Sequence, residues 1–309
     1  MSATTPQTGP HGVCVVDKPA GMTSHDVVAR ARRLLGTRKV GHAGTLDPDA
    51  TGVLVLGVGR ATRLLRFVTP LPKSYAGEVV LGASTSTLDA SGALKATYDM
   101  EHVSVEAVRE AAAGLVGHLS QEPPMVSAVS VGGRRLHQLA RKGIEVERDA
   151  RPVTVHRFEV VGPLVALTDG VAPGRSVAVE VDCSSGTYVR SLADDLGRAL
   201  GGGAHLRHLR RTAVGHFTVE AATSLDDLVV LPCLDAVRHL VVVAVDDDVA
   251  ALVATGTRLV RTGEAVELAG EGPWALVSST TGALLAVYEA AGERAHPAVV
   301  VASPPAQGC

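Results

Sequence analysis

Arg38-Lys39-Val40-Gly41-His42-Ala43-Gly44-Thr45-Leu46-Asp47-Pro48-Asp49-Ala50-Thr51-Gly52 is the stretch on which the reading of this chain turns. Gly41, Gly44 and Gly52 admit backbone angles closed to other residues, so the segment reads as a tight loop rather than a helix. Pro48 biases Asp47 towards an extended conformation and has no N–H to give to a ladder. The apolar run Gly52-Val53-Leu54-Val55-Leu56-Gly57-Val58-Gly59 follows at once and reads as a buried strand. Asp47 then sits just before that strand with a fixed direction. Rigid polar loops are where scaffolds tend to carry chemistry. Gly, Asp and Pro also build ordinary turns, so composition alone leaves both readings open.

The chain has 309 residues, enough for one large domain or two unequal ones. Aromatic residues make up only 3%, so Val, Leu and Ala must fill the core. The net charge of -3 argues at first against a nucleic-acid partner. Its distribution weakens that objection: residues 1–240 carry 26 basic and 24 acidic side chains, whereas 241–309 carry 3 and 8. Local clustering, not the total, decides what a surface attracts. Cys14, Cys183, Cys233 and Cys309 show no CxxC spacing, which speaks against a zinc site and a disulfide framework. No basic-then-apolar leader and no apolar run near 18 residues is seen, so the expectation is a cytoplasmic protein without a membrane span.

Taken in order, Met1 to His11 is expected to be a disordered tail. Gly12–Asp17 reads as a strand, Lys18–Gly21 as a turn, and Thr23 or Ser24 as the cap of a helix ending at Gly36. Arg60, Arg63 and Arg66 recur at a spacing of three, near one helical face, with Leu64 and Phe67 turned elsewhere. Lys73–Gly82 reads as a strand carrying Tyr75, Ser84–Gly92 as a polar loop containing Asp89, and Val105–Leu115 as a helix capped by Ser104. After a break at Gln121–Met125, Val126–Val131 reads as a strand and Leu136–Lys142 as a short basic helix. Val153–Val161 and Ser176–Cys183 read as strands around a loop at Leu164–Gly174, and Thr187–Arg190 leads into a helix. His205–Thr212 is a second basic stretch whose HxxH pair lacks further ligands, so no metal is expected. Pro232–His239 reads as a linker to a small β-rich domain at 240–309, opening with a strand to Val245 and a helix capped at Asp246–Asp248.

Gly41-His42-Ala43-Gly44-Thr45-Leu46-Asp47-Pro48 with Ala50-Thr51-Gly52-Val53-Leu54 resembles the catalytic motif of the TruB family, the bacterial tRNA pseudouridine-55 synthases. Asp17-Lys18-Pro19-Ala20-Gly21-Met22-Thr23-Ser24 is similar to that family's opening motif, and Cys183-Ser184-Ser185-Gly186-Thr187-Tyr188-Val189-Arg190-Ser191-Leu192 to its third. The three occur in family order, and the likeness covers roughly residues 12–230. It implies an α+β pseudouridine synthase fold over residues 12–235: a central mixed, mostly antiparallel sheet flanked by helices, with a thumb insertion at about 123–151. The small C-terminal domain would be PUA-like or related. In relatives a comparable module helps hold RNA, a role at odds with its acidic balance here.

The resemblance also implies site roles. Asp47 would be the nucleophile and Arg190 the guanidinium that pairs with it; a fork can hold a carboxylate through two hydrogen bonds, which Lys cannot. Tyr75 would stack on the flipped uracil and help proton transfer at carbon five. His42 would fill the vacated stack, Tyr188 and Leu209 line the pocket, Gly44 of the Asp47 motif bind substrate, and Lys18 contact RNA backbone. Arg134, Arg135, Arg141 and Lys142 of the thumb suit phosphate contacts. Val126, Ser130 and His137 depart from the usual thumb residues, and Ser86 and Leu88 from the loop before Asp89. The implied reaction isomerises a uridine in the tRNA T loop, needs no organic cofactor and no metal, and uses a monomer without an obligate protein partner. Attack at ribose and attack at the ring both remain open.

Two rival readings compete. Asp47-Pro48-Asp49-Ala50-Thr51 also fits the DxDx[TV] signature of haloacid-dehalogenase-like phosphatases, but that motif ends an apolar strand and Arg38–Leu46 is basic and glycine-rich. The basic clusters alone would equally suit an RNA-binding folding helper without catalysis.

Overall fold

The structure is a computed structural model that describes residues 9–127, 130–131, 134–135, 144, 146–263 and 266–302. The expected basic helix at Leu136–Lys142, and with it Arg141 and Lys142, lies outside the described residues.

The strands in chain order are β1 Gly12–Lys18, β2 Val40–Ala43, β3 Thr51–Val58, β4 Lys73–Leu81, β5 Ala83–Thr85, β6 Leu94–Thr97, β7 Gly117–Gln121, β8 Ser130–Val131, β9 Arg134–Arg135, β10 Arg151–Leu167, β11 Gly174–Cys183, β12 Ala204–Val214 and β13 Phe217–Thr218. The main sheet runs β1-β3-β12-β4-β11-β10-β7, with β2 attached to β3 and β13 to β12. Every pairing in it is antiparallel except β12 with β3. The mixed, mostly antiparallel sheet expected from sequence is therefore present.

Helices α1 (Ser24–Leu34), α2 (Leu65–Val68), α3 (Val105–Ala113) and α4 (Val189–Ala199) flank it. Thr23 and Asp26 form a reciprocal capping box at the start of α1, and Ser104 caps α3 through the Ala107 N–H. The run Val53–Val58 is apolar throughout because β3 is covered on both faces. Leu54, Leu56 and Val58 join Cys14 and Val16 beneath Val27, Val28 and Ala31 of α1. Val53 and Val55 face the opposite way with Val13 and Val15. A third cluster, under α3 and α4, joins Tyr75, Val79, Val181, Leu192, Leu196 and Leu206.

The C-terminal part forms its own five-stranded sheet, β14-β16-β17-β18-β15, from β14 (Val241–Val245), β15 (Leu259–Val260), β16 (Trp274–Ser278), β17 (Leu284–Ala291) and β18 (Arg294–Val300), with helix α5 (Asp247–Ala254) capped by Asp246. It is not loosely tethered. Ala275, Val277, Leu284, Val287 and Val299 share one buried cluster with Val13, Val55, Leu64 and Phe67. The segment expected to be a linker contains a 3-10 turn, Cys233–Val237, with Ala236 and Val237 fully buried in that cluster. The arginines at spacing three serve this docking. Arg60 donates to Val301 O at 2.7 Å, Arg63 to Val300 O, and Arg66 to Glu289 Oε1 at 3.0 Å.

Other expectations need correction. The segment around Asp47 is not all loop: β2 pairs with β3 antiparallel, and Asp47 lies between them. His11 is packed in place, accepting a hydrogen bond from the Arg60 N–H at 3.2 Å. Residues 125–127 are bends, not the start of a strand. β10 continues to Leu167 past a register shift between Val161 and Val165, so the start of the expected loop is strand. Thr85 and its neighbours form β5, which pairs with β6.

Leu64 is fully buried in the cluster shared by the two parts. Leu64→Ala should cost about 2–5 kcal/mol by chemical denaturation. A loss below about 1 kcal/mol would mean that the C-terminal sheet is not packed against it as described.

Candidate active site

The backbone from Gly44 to Pro48 is held at every carbonyl. Arg211 donates from Nη2 to Gly44 O at 3.1 Å and from Nη1 to Thr45 O at 3.4 Å. Ser24 Oγ donates to Leu46 O at 3.2 Å and accepts from Leu46 N at 2.9 Å. Asp47 O accepts from Ala50 N at 3.2 Å, and Pro48 O from Lys18 Nζ at 2.9 Å and Gly21 N at 3.0 Å. Gly44 has φ +83° and Gly52 φ +99°, and a Cβ on Gly52 would stand 2.1 Å from Arg211 O. Only glycine permits that approach of β12 to β3.

This loop points Asp47 at Arg190, in the first turn of α4. Arg190 Nε lies 3.1 Å from Asp47 Oδ2, and Nη2 lies 3.4 Å from Oδ1. The arginine side chain is 5% exposed and the aspartate 41%, so the cation is fixed in the protein while the carboxylate stays approachable. The remaining guanidinium hydrogens reach Thr87 O at 2.9 Å, Val126 O at 2.8 Å and Asp89 Oδ2 at 3.3 Å. Asp89 is itself held by Thr87 Oγ1 at 2.5 Å and Ser91 Oγ at 2.6 Å. Loss of water pushes the Asp47 carboxyl above its ordinary range; Arg190 pulls it back, Asp89 pushes it further up, and Lys18 pulls it down.

Tyr75 lies on the same face, clustered with Leu46, Ala50 and Val189, and Leu209 packs against that group. Leu209 reaches it through a bulge: the β12–β4 register shifts between Arg207 and Arg210, and His208 takes φ +54°. Burial raises the Tyr75 hydroxyl and Arg211 works against that rise. Tyr188 precedes α4; its N–H donates to Gln121 Oε1 at 2.7 Å and its carbonyl accepts from Gln121 Nε2 at 3.1 Å. His42 packs edge-on to His25 with ring centroids 5.5 Å apart, and burial lowers its pKa, helped by His25 and Arg211.

Lys18 does not fit the expected contact with RNA backbone. It is fully buried, and Nζ donates to Pro19 O, Met22 O and Pro48 O at 2.7–2.9 Å. It braces the Asp47 loop instead. Arg134 lies in β9, paired with β8. Among the described residues no group of three or more His, Cys, Asp or Glu could hold a metal ion, and no helix is long and apolar enough to cross a membrane.

Sequence reading missed Ser24, Gln121 and Arg211, and gave Asp89 no role. None carries a local signal. Ser24 looks like a helix start, Gln121 sits in a break, and Arg211 is one of several arginines in a basic stretch.

The site is thus a half-exposed carboxylate on a pinned loop, gripped by a buried arginine, and comparisons with known proteins place the chain among the pseudouridine synthases. Residues 32–189 match the family model "TruB family pseudouridylate synthase (N terminal domain)", and 190–235 match "tRNA pseudouridylate synthase B C-terminal domain". The chain is 52% identical over 234 residues to tRNA pseudouridine synthase B of Mycobacterium bovis (strain BCG / Pasteur 1173P2), covering 76% of this chain and 75% of that protein. It is 55% identical over 227 residues to the protein of the same name from Mycobacterium avium (strain 104), covering 73% and 71%. The crystal structure of the archaeal box H/ACA sRNP Nop10-Cbf5 complex contains a chain that superposes with a TM-score of 0.69 at 25% identity, covering 98% of this chain and 94% of that one. The chain belongs to the TruB family of tRNA pseudouridine synthases, which are isomerases.

Burial pushes the Lys18 ammonium down from 10.5 to about 8. The folded chain thus gives up this proton before the unfolded chain does, so stability contributed at Lys18 rises with pH between about 8 and 10.5. Lys18→Met should destabilise the fold by about 1–3 kcal/mol near neutral pH through its orphaned carbonyls. Urea denaturation should show that deficit widening as pH is raised towards 10; a constant or shrinking deficit would contradict the buried, loop-bracing placement.

Proposed function

We propose that the chain converts the uridine at position 55 in the T loop of tRNA to pseudouridine, with Asp47 as nucleophile and the uridine flipped out of its stack. The observation that carries this reading is the two-point contact of buried Arg190 with the half-open Asp47 carboxylate. The reaction breaks the N1–C1′ bond, rotates the uracil and joins C5 to C1′, with one proton leaving C5 and one arriving at N1. Nothing is oxidised or reduced, so no cofactor is required. A carboxylate can form the covalent adduct and leave again. It must be ionised to attack, and the desolvation that raises its pKa would protonate it without a cation at hand; Arg190 supplies that cation and aims both oxygens.

Flipping a stacked base costs a few kcal/mol. Tyr75, with Leu209 and Tyr188 around it, offers the surface on which the extruded base rests, and base–aromatic stacking returns about 1–3 kcal/mol. His42 lies on β2, immediately before the loop, suitably placed to occupy the gap left in the RNA. The enzyme acts on tRNA as a monomer, in the cytoplasm.

Purified protein incubated with an unmodified T-arm stem-loop, without metal, should yield pseudouridine by chemical tagging. Asp47→Asn should yield none while still binding the RNA. Tight binding by the wild type without product would favour the RNA-binding helper. Arg190→Lys should lower turnover by about a hundredfold or more while stem-loop affinity stays within a few-fold. An equal loss of turnover and affinity would make Arg190 an RNA contact rather than the partner of the nucleophile.

A further inference from the structure

Arg211 is wholly buried and donates to three backbone carbonyls on two neighbouring segments: Gly44 O, Thr45 O and, from Nε at 2.7 Å, Val53 O. The loop sits directly on it. A Cβ built on Gly44 would lie 3.6 Å from Arg211 Nη1. In the sheet, Arg211 is the register partner of Tyr75 across β12 and β4, and its charge works against the burial that raises the Tyr75 hydroxyl. One residue thus grips the loop that aims Asp47 through its guanidinium and is paired with the tyrosine through its strand. Lysine has the charge but not the fork; a single ammonium cannot span the three carbonyls on both segments.

We propose that Arg211 is a positioning residue for the reaction, holding the Asp47 loop and Tyr75 in a fixed mutual relation through its guanidinium and its strand. This rests on the roles given above to Asp47 and Tyr75. It acts without touching the RNA, so its loss should appear in turnover and not in substrate affinity.

The test compares wild type, Arg211→Lys, Tyr75→Phe and the double variant on the T-arm stem-loop, each also followed by thermal melting. Arg211→Lys should lower kcat about ten- to a hundredfold and leave KM within about threefold. If Arg211 acts through Tyr75, the losses are not additive: the double variant should fall within about threefold of the poorer single variant. Losses that multiply, or a KM that rises while kcat holds, would overturn the proposal. If Arg211→Lys fails to fold, Arg211→Gln takes its place under the same criteria. Absence of product from the wild type counts instead against the proposed function, and amide hydrogen exchange over residues 44–48 then reads the loop contact independently: the variant should exchange faster there than the wild type, and unchanged exchange would refute the contact.

Discussion

The site depends on a backbone that has been deprived of freedom carbonyl by carbonyl. Between Gly44 and Pro48 each peptide oxygen has a donor, and three of those donors come from distant parts of the chain: Ser24 of α1, Lys18 of β1 and Arg211 of β12. A five-residue loop cannot hold a side chain to a fraction of an ångström by its own propensities. Here the direction of Asp47 is imposed by a sheet on one side and a helix start on the other. The arrangement carries a cost, since cations are being buried on neutral partners. It is visible in Lys18 and Lys73, whose ammonium groups burial pushes down to about 8.

The same economy of arginines shapes the rest of the molecule. Arg60, Arg63 and Arg66 would read on a helical wheel as a surface waiting for phosphate. They instead face the last strands of the C-terminal sheet, two of them on main-chain carbonyls. The acidic balance of 241–309 then ceases to conflict with an RNA-acting enzyme. That part covers one face of β1 and β3 through a common apolar cluster, and a covering layer needs no affinity for RNA.

Much of this was legible in the sequence. The cap at Ser104 stands where side-chain chemistry places it, and Thr23 and Asp246 are the ones taken from the alternatives Thr23 or Ser24 and Asp246–Asp248. The buried strand after Asp47 followed from its unbroken apolar run. Asp47 and Arg190 were paired through resemblance, and they lie within hydrogen-bonding distance although 143 residues apart in sequence. What was not legible depends on where a polar side chain ends. Arg211 is one arginine in a basic stretch and Lys18 a lysine at a turn, and nothing local distinguishes a cation on a carbonyl cage from one in water. The bulge at His208 that brings Leu209 to the cluster likewise falls where the β12–β4 register shifts and β3 joins the other edge of β12, which is a property of the sheet and not of the residue.

Arg190 also joins two events usually treated apart. One of its nitrogens donates to Asp47 and to Val126 O, and residue 126 lies near the start of the segment, about 123–151, that the resemblance casts as a thumb. Displacement of the chain at 126 removes an acceptor from the guanidinium that holds Asp47. By linkage, what moves the chain at 126 is felt at the carboxylate, and the ionisation state of the carboxylate is felt at 126 by the same amount of free energy. The root of that segment is thereby tied to the charge balance around Asp47.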